Sequence, residues 1–145
     1  MKWWVVIPII GCVLATGCAH TGARSASVKA PAAAERIALA RVHFPTGSTR
    51  VLARDRRVLE ENAQQLRQDA RAVVVLEGHC DERGGDAFNL ELGDRRARGV
   101  LTELVRLGID DARLIIVSQG KRRPLDGLHR PSAWARNRRV EFIVR

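Results

Sequence analysis

The feature that most constrains this chain is the short apolar run Ala72-Val73-Val74-Val75-Leu76, set between two longer stretches with helical period. Five apolar residues rich in β-branched side chains suit a buried strand. On its N-terminal side, Leu52, Leu59 and Leu66 recur between 51 and 68, with Val58 and Ala63 between them, which predicts a one-sided helix. On its C-terminal side, Leu90, Ala97, Val100 or Leu101, Leu104 and Leu107 predict a second helix over about 88–107, ended by Gly108.

Further elements extend the alternation. Residues 37–44 alternate Ala38, Ala40, Val42 and Phe44 with Leu39, Arg41 and His43, as a strand would. Pro45-Thr46-Gly47-Ser48 breaks it, and Ser48 or Thr49 is placed to cap the following helix. A third strand is expected over 114–118, broken by Gln119-Gly120, then a short helix over 131–137 led by Ser132. Val140, Phe142 and Val144 give a terminal strand. The order β-α-β-α-β, then a short helix and a last strand, implies an α/β sandwich with helices packed on a sheet.

The N-terminus reads as an export signal. Met1-Lys2 is followed by an uncharged run from Trp3 to Leu14, short of the roughly 20 residues of a membrane span. It ends in Leu14-Ala15-Thr16-Gly17-Cys18, which resembles a bacterial lipobox. Residues 1–17 are therefore expected as signal peptide, 18–36 as a linker lipidated at Cys18, and 37–145 as the folded domain. Burial contributes about 0.8 kcal/mol per methylene, and one acyl chain binds only reversibly; the three chains implied by lipoprotein processing would make release negligible. Ala19, where an Asp would signal inner-membrane retention, implies the outer membrane by the same resemblance, with the domain facing the periplasm.

Cys12 leaves with the signal and Cys18 carries lipid, so Cys80 stands alone and no intramolecular disulfide is expected. The chain has a formal charge of +9, from 25 basic and 16 acidic residues. Its arginines are scattered rather than clustered, it has no tyrosine, and it is exported, all of which argue against nucleic acid. Anionic wall polymer and lipid headgroups suit the basic balance better.

The chemistry concentrates after the central strand, in Glu77-Gly78-His79-Cys80-Asp81-Glu82-Arg83-Gly84, followed by Asn89 and by Gly93-Asp94-Arg95-Arg96-Ala97. Asp81 offers an acceptor for an ammonium group and Arg96 a fork for a carboxylate. Asn89 and Arg96, seven residues apart, fall on one helical face, and Gly93 between them would leave that face low for a ligand. Four neighbours from His79 to Glu82 alternate in direction, so neither a metal site nor a Cys-His catalytic pair is expected from them. The alternative to a ligand clamp is an internal Asp81–Arg96 salt bridge.

These motifs, with Asn137-Arg138-Arg139-Val140, resemble the OmpA-like domain family over about residues 42–145, most closely its peptidoglycan-associated lipoprotein (Pal) branch. The resemblance implies an OmpA-like two-layer sandwich with a mixed sheet, and a non-catalytic function without cofactor. It implies peptidoglycan binding through diaminopimelate at Asp81, Arg96, Asn89 and Arg138, tethering the outer membrane to the wall. It also implies TolB or other Tol-system proteins as partners, and the alternative function is such docking with weak wall binding. Pro45, Gly47, Cys80 and Gln119 depart from the family pattern near the expected ligand contacts.

Overall fold

In the computed structural model, residues 38–145 are described. The signal peptide, the Cys18 lipidation site and the 18–36 linker lie outside the described residues. The elements run β1 (Val42–His43), α1 (Ala53–Gln68), β2 (Val74–His79), α2 (Asp86–Arg106), a 3-10 turn (Asp111–Arg113), β3 (Leu114–Gly120), α3 (Pro131–Asn137) and β4 (Arg139–Val144). The sheet order is β1-β4-β2-β3. β4 is antiparallel to both β1 and β2, while β2 and β3 are parallel, so the sheet is mixed, as expected.

Alternation along the strands divides the sheet into two faces. Val74, Leu76 and Val140 are fully buried and join Leu59, Ala63 and Leu66 of α1 and Ala97, Val100 and Leu104 of α2 in one apolar core. Each fully buried leucine contributes about 1.5–3 kcal/mol relative to exposure. Glu77, His79, Arg139 and Glu141 lie on the opposite face, with Ile115 and Val117. Gly78 and Gly93 set how closely α2 approaches β2. A Cβ on Gly78 would stand 2.0 Å from the Gly93 carbonyl oxygen, and one on Gly93 only 2.4 Å from Ser118 Oγ. Gly93 thus faces the sheet, not a ligand: its missing side chain serves helix–strand contact.

Four boundaries differ from the expected ones, each for a local reason. The first strand is only two residues long within 38–44, because Ala40 hydrogen-bonds through both its N–H and C=O to the Asn62 side chain (2.9 and 2.8 Å) instead of to a neighbouring strand. Neither Ser48 nor Thr49 caps α1; Leu52 occupies the cap position, and Ser48 Oγ accepts from the Arg50 N–H in a local turn. β2 runs on through Glu77-Gly78-His79, so the first three of the eight residues of the supposed motif loop are strand. β3 likewise continues through Gln119-Gly120, where Gly120 at φ 53° pairs with His79 beyond a register shift. Gly108, at φ 87°, ends α2 as expected. α3 spans the expected residues, with Pro131 at its first turn and no side-chain cap from Ser132.

Candidate functional site

The C-terminal end of β2 opens into a cavity of about 280 Å3. Three segments meet there: Thr46 and Gly47 after β1, Cys80, Asp81, Arg83 and Gly84 after β2, and Phe88, Asn89, Leu92 and Arg96 along α2. Arg138, at the junction of α3 and β4, completes the wall. All four expected site residues, Asp81, Asn89, Arg96 and Arg138, therefore line one cavity.

Arg96 is fully buried. Its Nε donates to the Ser48 carbonyl (2.9 Å), Nη1 to the His79 carbonyl (3.0 Å) and to Cys80 Sγ (3.4 Å), and Nη2 to the Pro45 carbonyl (3.2 Å). Of the five N–H groups of a guanidinium, four are thereby held and one on Nη2 is left. Burial pulls the guanidinium down from its usual value, yet an arginine stays cationic in proteins. The Asp81–Arg96 salt bridge weighed from sequence is not formed. Arg96 instead ties the loop after β1 to the end of β2 through their backbones.

Asp81 is saturated. Its Oδ1 accepts from the Arg83 N–H (3.2 Å) and Nε (3.1 Å), and its Oδ2 from Arg83 Nη2 (2.8 Å) and Arg138 Nη1 (3.1 Å). Burial would raise its pKa, but the Arg83 and Arg138 hydrogen bonds outweigh it and hold the carboxyl below its usual value. Arg138 is well buried, with 13 % of its side chain exposed, and also donates from Nε to the Phe44 carbonyl at 3.0 Å. Arg83 has 43 % of its side chain exposed, lies over the Trp134 ring at 4.3 Å, and also donates from Nη2 to Thr46 Oγ1 at 3.3 Å.

Asn89 turns its amide toward the loop, donating from Nδ2 to the Arg83 (2.8 Å) and Gly85 (3.1 Å) carbonyls. No donor among the described residues reaches its Oδ1. Cys80 is buried, its thiol donating to the Asn89 carbonyl (3.3 Å), and burial pushes its pKa up. This is a packed, unreactive thiol. The cavity wall holds three guanidiniums, Arg83, Arg96 and Arg138, against one carboxylate, Asp81. Its surplus is two positive charges.

Arg83 is the functional candidate that sequence reasoning did not single out. Its place two residues after Asp81, where an Asp side chain accepts from the i+2 N–H, was the available signal. Phe88, half exposed at the mouth, was likewise read only as the start of a helix.

The family model described as the OmpA family matches residues 43–138, more than half of the chain. The chain belongs to the OmpA family. It is 40 % identical over 124 residues to the peptidoglycan-associated lipoprotein of Pseudomonas aeruginosa, covering 86 % of this chain and 72 % of that protein. With the protein of the same name from Mesorhizobium japonicum it shares 33 % identity over 148 residues, covering 94 % and 88 %. Among solved structures it resembles the peptidoglycan-associated lipoprotein from Burkholderia pseudomallei, with a TM-score of 0.70, 34 % identity and coverage of 72 % and 89 %. The C-terminal domain of Helicobacter pylori MotB shares the fold at a TM-score of 0.69 and 20 % identity, covering 74 % and 85 %.

For an OmpA-family chain the departures now have positions. Pro45 contributes only its carbonyl, to Arg96. Gly47, at φ 64°, lines the cavity with open space where a Cβ would stand. Gln119 is not in the cavity; it donates to Glu77 Oε1 (3.3 Å) on the other face of the sheet. Among the described residues, no helix is long and apolar enough to cross a membrane.

Proposed function

We propose that the protein is a non-catalytic lipoprotein that binds peptidoglycan through diaminopimelate stem peptides and tethers the outer membrane to the wall. The observation that carries this reading is the cationic surplus of the cavity. Three guanidiniums around one carboxylate favour a ligand with more carboxylates than ammonium groups, and a stem peptide carrying diaminopimelate meets that description, because the paired ammonium and carboxylate of the diaminopimelate side-chain end stand beside the peptide's other free carboxylates. The similarity to proteins named peptidoglycan-associated lipoproteins supports the same ligand class. The lipobox residues ending in Cys18 support the tether, with residues 18–36 as the lipidated linker and the outer membrane as its destination.

In this reading Arg96 and Arg138 receive carboxylate. Arg96 offers its remaining Nη2 hydrogen from a fixed position, so little side-chain freedom is lost on binding. Asp81 receives the ammonium group. That requires Arg83, the more exposed partner, to yield its place, and Arg83 serves as the ligand's stand-in when the cavity is free. Asn89 holds the 83–85 loop open and leaves its Oδ1 for a ligand N–H. Hydrogen bonds to charged groups contribute about 1.5–3 kcal/mol each, so two or three suffice for specific binding.

The test is sedimentation of the protein with purified sacculi, with TolB added in a parallel arm. Co-sedimentation of wild type, lost in Arg138→Ala, supports wall binding as the main function. Failure of wild type to sediment, together with capture by TolB, would favour protein docking instead.

A further inference from the structure

On the open face of the sheet, on the side away from the core helices, Glu77 of β2 stands directly opposite Glu141 of β4 in the strand register. Like charges placed opposite one another on neighbouring strands destabilise a sheet. Glu77 is only 9 % exposed, and no lysine or arginine among the described residues forms an ion pair with it. Two residues on, and so on the same face, is His79, which is 1 % exposed. Neither of its ring nitrogens has a hydrogen-bond partner. The Arg123 backbone lies near the ring but does not meet hydrogen-bond geometry. A buried carboxylate without a counter-ion and a buried imidazole without a partner are each costly alone. Here they are neighbours, with His79 Nε2 3.5 Å from Glu77 Oε2.

We propose that Glu77, His79 and Glu141 form a binding site for a divalent transition-metal ion of the zinc class. One ligand atom from each residue lies within 4.8 Å of the other two. The 3.5 Å between His79 and Glu77 is about the spacing of two ligands on one tetrahedral ion with bonds near 2.1 Å. Each carboxylate has one oxygen held by the protein and one left over. Gln119 Nε2 donates to Glu77 Oε1. Arg139 Nε (2.7 Å) and Arg41 Nε (2.9 Å) both bind Glu141 Oε1. Outer hydrogen bonds of this kind orient ligating carboxylates. Glu141 has 23 % of its side chain exposed, so an ion reaches the group from the solvent side. Arg41, half exposed, is free to swing aside as positive charge arrives. Three protein ligands leave one coordination position for water. The imidazole with two carboxylates selects zinc-class ions over calcium or magnesium, which take oxygen ligands alone.

The site shares no residue with the cavity, so its test is independent of wall binding. The full-length protein, purified in detergent and stripped with EDTA, is titrated with Zn2+ by calorimetry and with Co2+ by visible absorption. The expected result is one equivalent of Zn2+ bound at micromolar affinity or tighter, and the d–d bands of a four-coordinate Co2+ site. Glu77→Gln keeps the Gln119 contact and near-identical volume, and is expected to weaken Zn2+ at least tenfold; Glu141→Gln provides a second variant with the same expectation. A variant with His20, His43 and His129 all replaced by Ala is expected to bind as wild type does. Absence of stoichiometric Zn2+ binding, undiminished binding by folded Glu77→Gln and Glu141→Gln, or loss confined to the triple-histidine variant would overturn the proposal.

Discussion

Two charged groups, one along β2 and one just past its C-terminal end, have opposite character. At the end of β2, Asp81 is enclosed by Arg83 and Arg138, with Arg96 below, and the wall carries surplus positive charge. Four residues earlier, Glu77 faces Glu141 with His79 beside them, and the surplus is of acceptors. The first group is assembled by loops and a helix that converge from distant parts of the chain. The second is assembled by strand register alone. The difference teaches that polarity on this sheet follows from what covers it. Where α2 leans on β2, only Gly78 fits; where no helix leans, charged side chains collect and need partners of their own.

The largest expected effect comes from breaking what both groups share. Gly78→Ala would drive a methyl group into the Gly93 carbonyl, a backbone atom that cannot rotate away. Overpacking costs typically about 1–3 kcal/mol, and more where backbone must shift. At roughly 4–8 °C per kcal/mol for a domain of this size, a thermal melt should fall by 10 °C or more. A melt unchanged by Gly78→Ala would mean that α2 and β2 are not held at this distance.

Next is Arg96→Ala, which separates the cationic group from the acidic one. It leaves the Ser48, His79 and Pro45 carbonyls without their donor in a buried setting. The expected cost is about 2–4 kcal/mol in stability, measured by urea denaturation, together with loss of wall binding. The parallel change Arg138→Ala should cost less, about 1–3 kcal/mol, since it leaves only the Phe44 carbonyl without its donor while Arg83 still holds Asp81, yet it should weaken wall binding at least tenfold.

A smaller effect concerns pH. The Asp81 carboxyl is lowered in the folded protein, so its contribution is fully present above the unfolded value of about 3.9 and is lost as pH falls through the lower folded value. Asp81→Asn should therefore reduce the difference in stability between pH 5 and pH 2, measured by denaturation at each pH. An identical pH dependence in the variant would contradict the Arg83 and Arg138 pairing. The smallest effect is expected from Arg83→Ala. If Arg83 stands in for the ligand's ammonium group, calorimetry should find affinity changed by no more than a few-fold; a loss as large as that of Arg138→Ala would make Arg83 a direct ligand contact.

Much of this was legible in the sequence because periodicity and local motifs agree. The apolar spacing of Leu59, Ala63 and Leu66 fixes α1, and Asn89 with Arg96 falls on one face of α2 by helical geometry alone. The alternation of Val140, Phe142 and Val144 likewise announces β4. What was not legible depends on contacts between distant residues. Asn62 replaces a strand partner for Ala40, twenty-two residues away, so the first strand shortens. Gly93 looked like a ligand surface because nothing in its neighbourhood names Gly78 and Ser118 as the atoms it meets. Asp81 and Arg96 looked like a pair because opposite charges attract, whereas Arg83 and the backbone carbonyls claim them first. The cluster of Glu77, His79 and Glu141 needs the β2–β4 register, which no local pattern supplies.

The central claim is that the cavity reads a second carboxylate. Isothermal titration of the full-length protein with stem peptides that differ only in diaminopimelate or lysine at the third position tests it directly. Lysine lacks that carboxylate, so Arg96 and Arg138 would be left without a partner. At about 1.4 kcal/mol per decade, the loss of one charged hydrogen bond of 1.5–3 kcal/mol should make the lysine peptide at least tenfold weaker. Equal affinity for the two peptides would contradict the account.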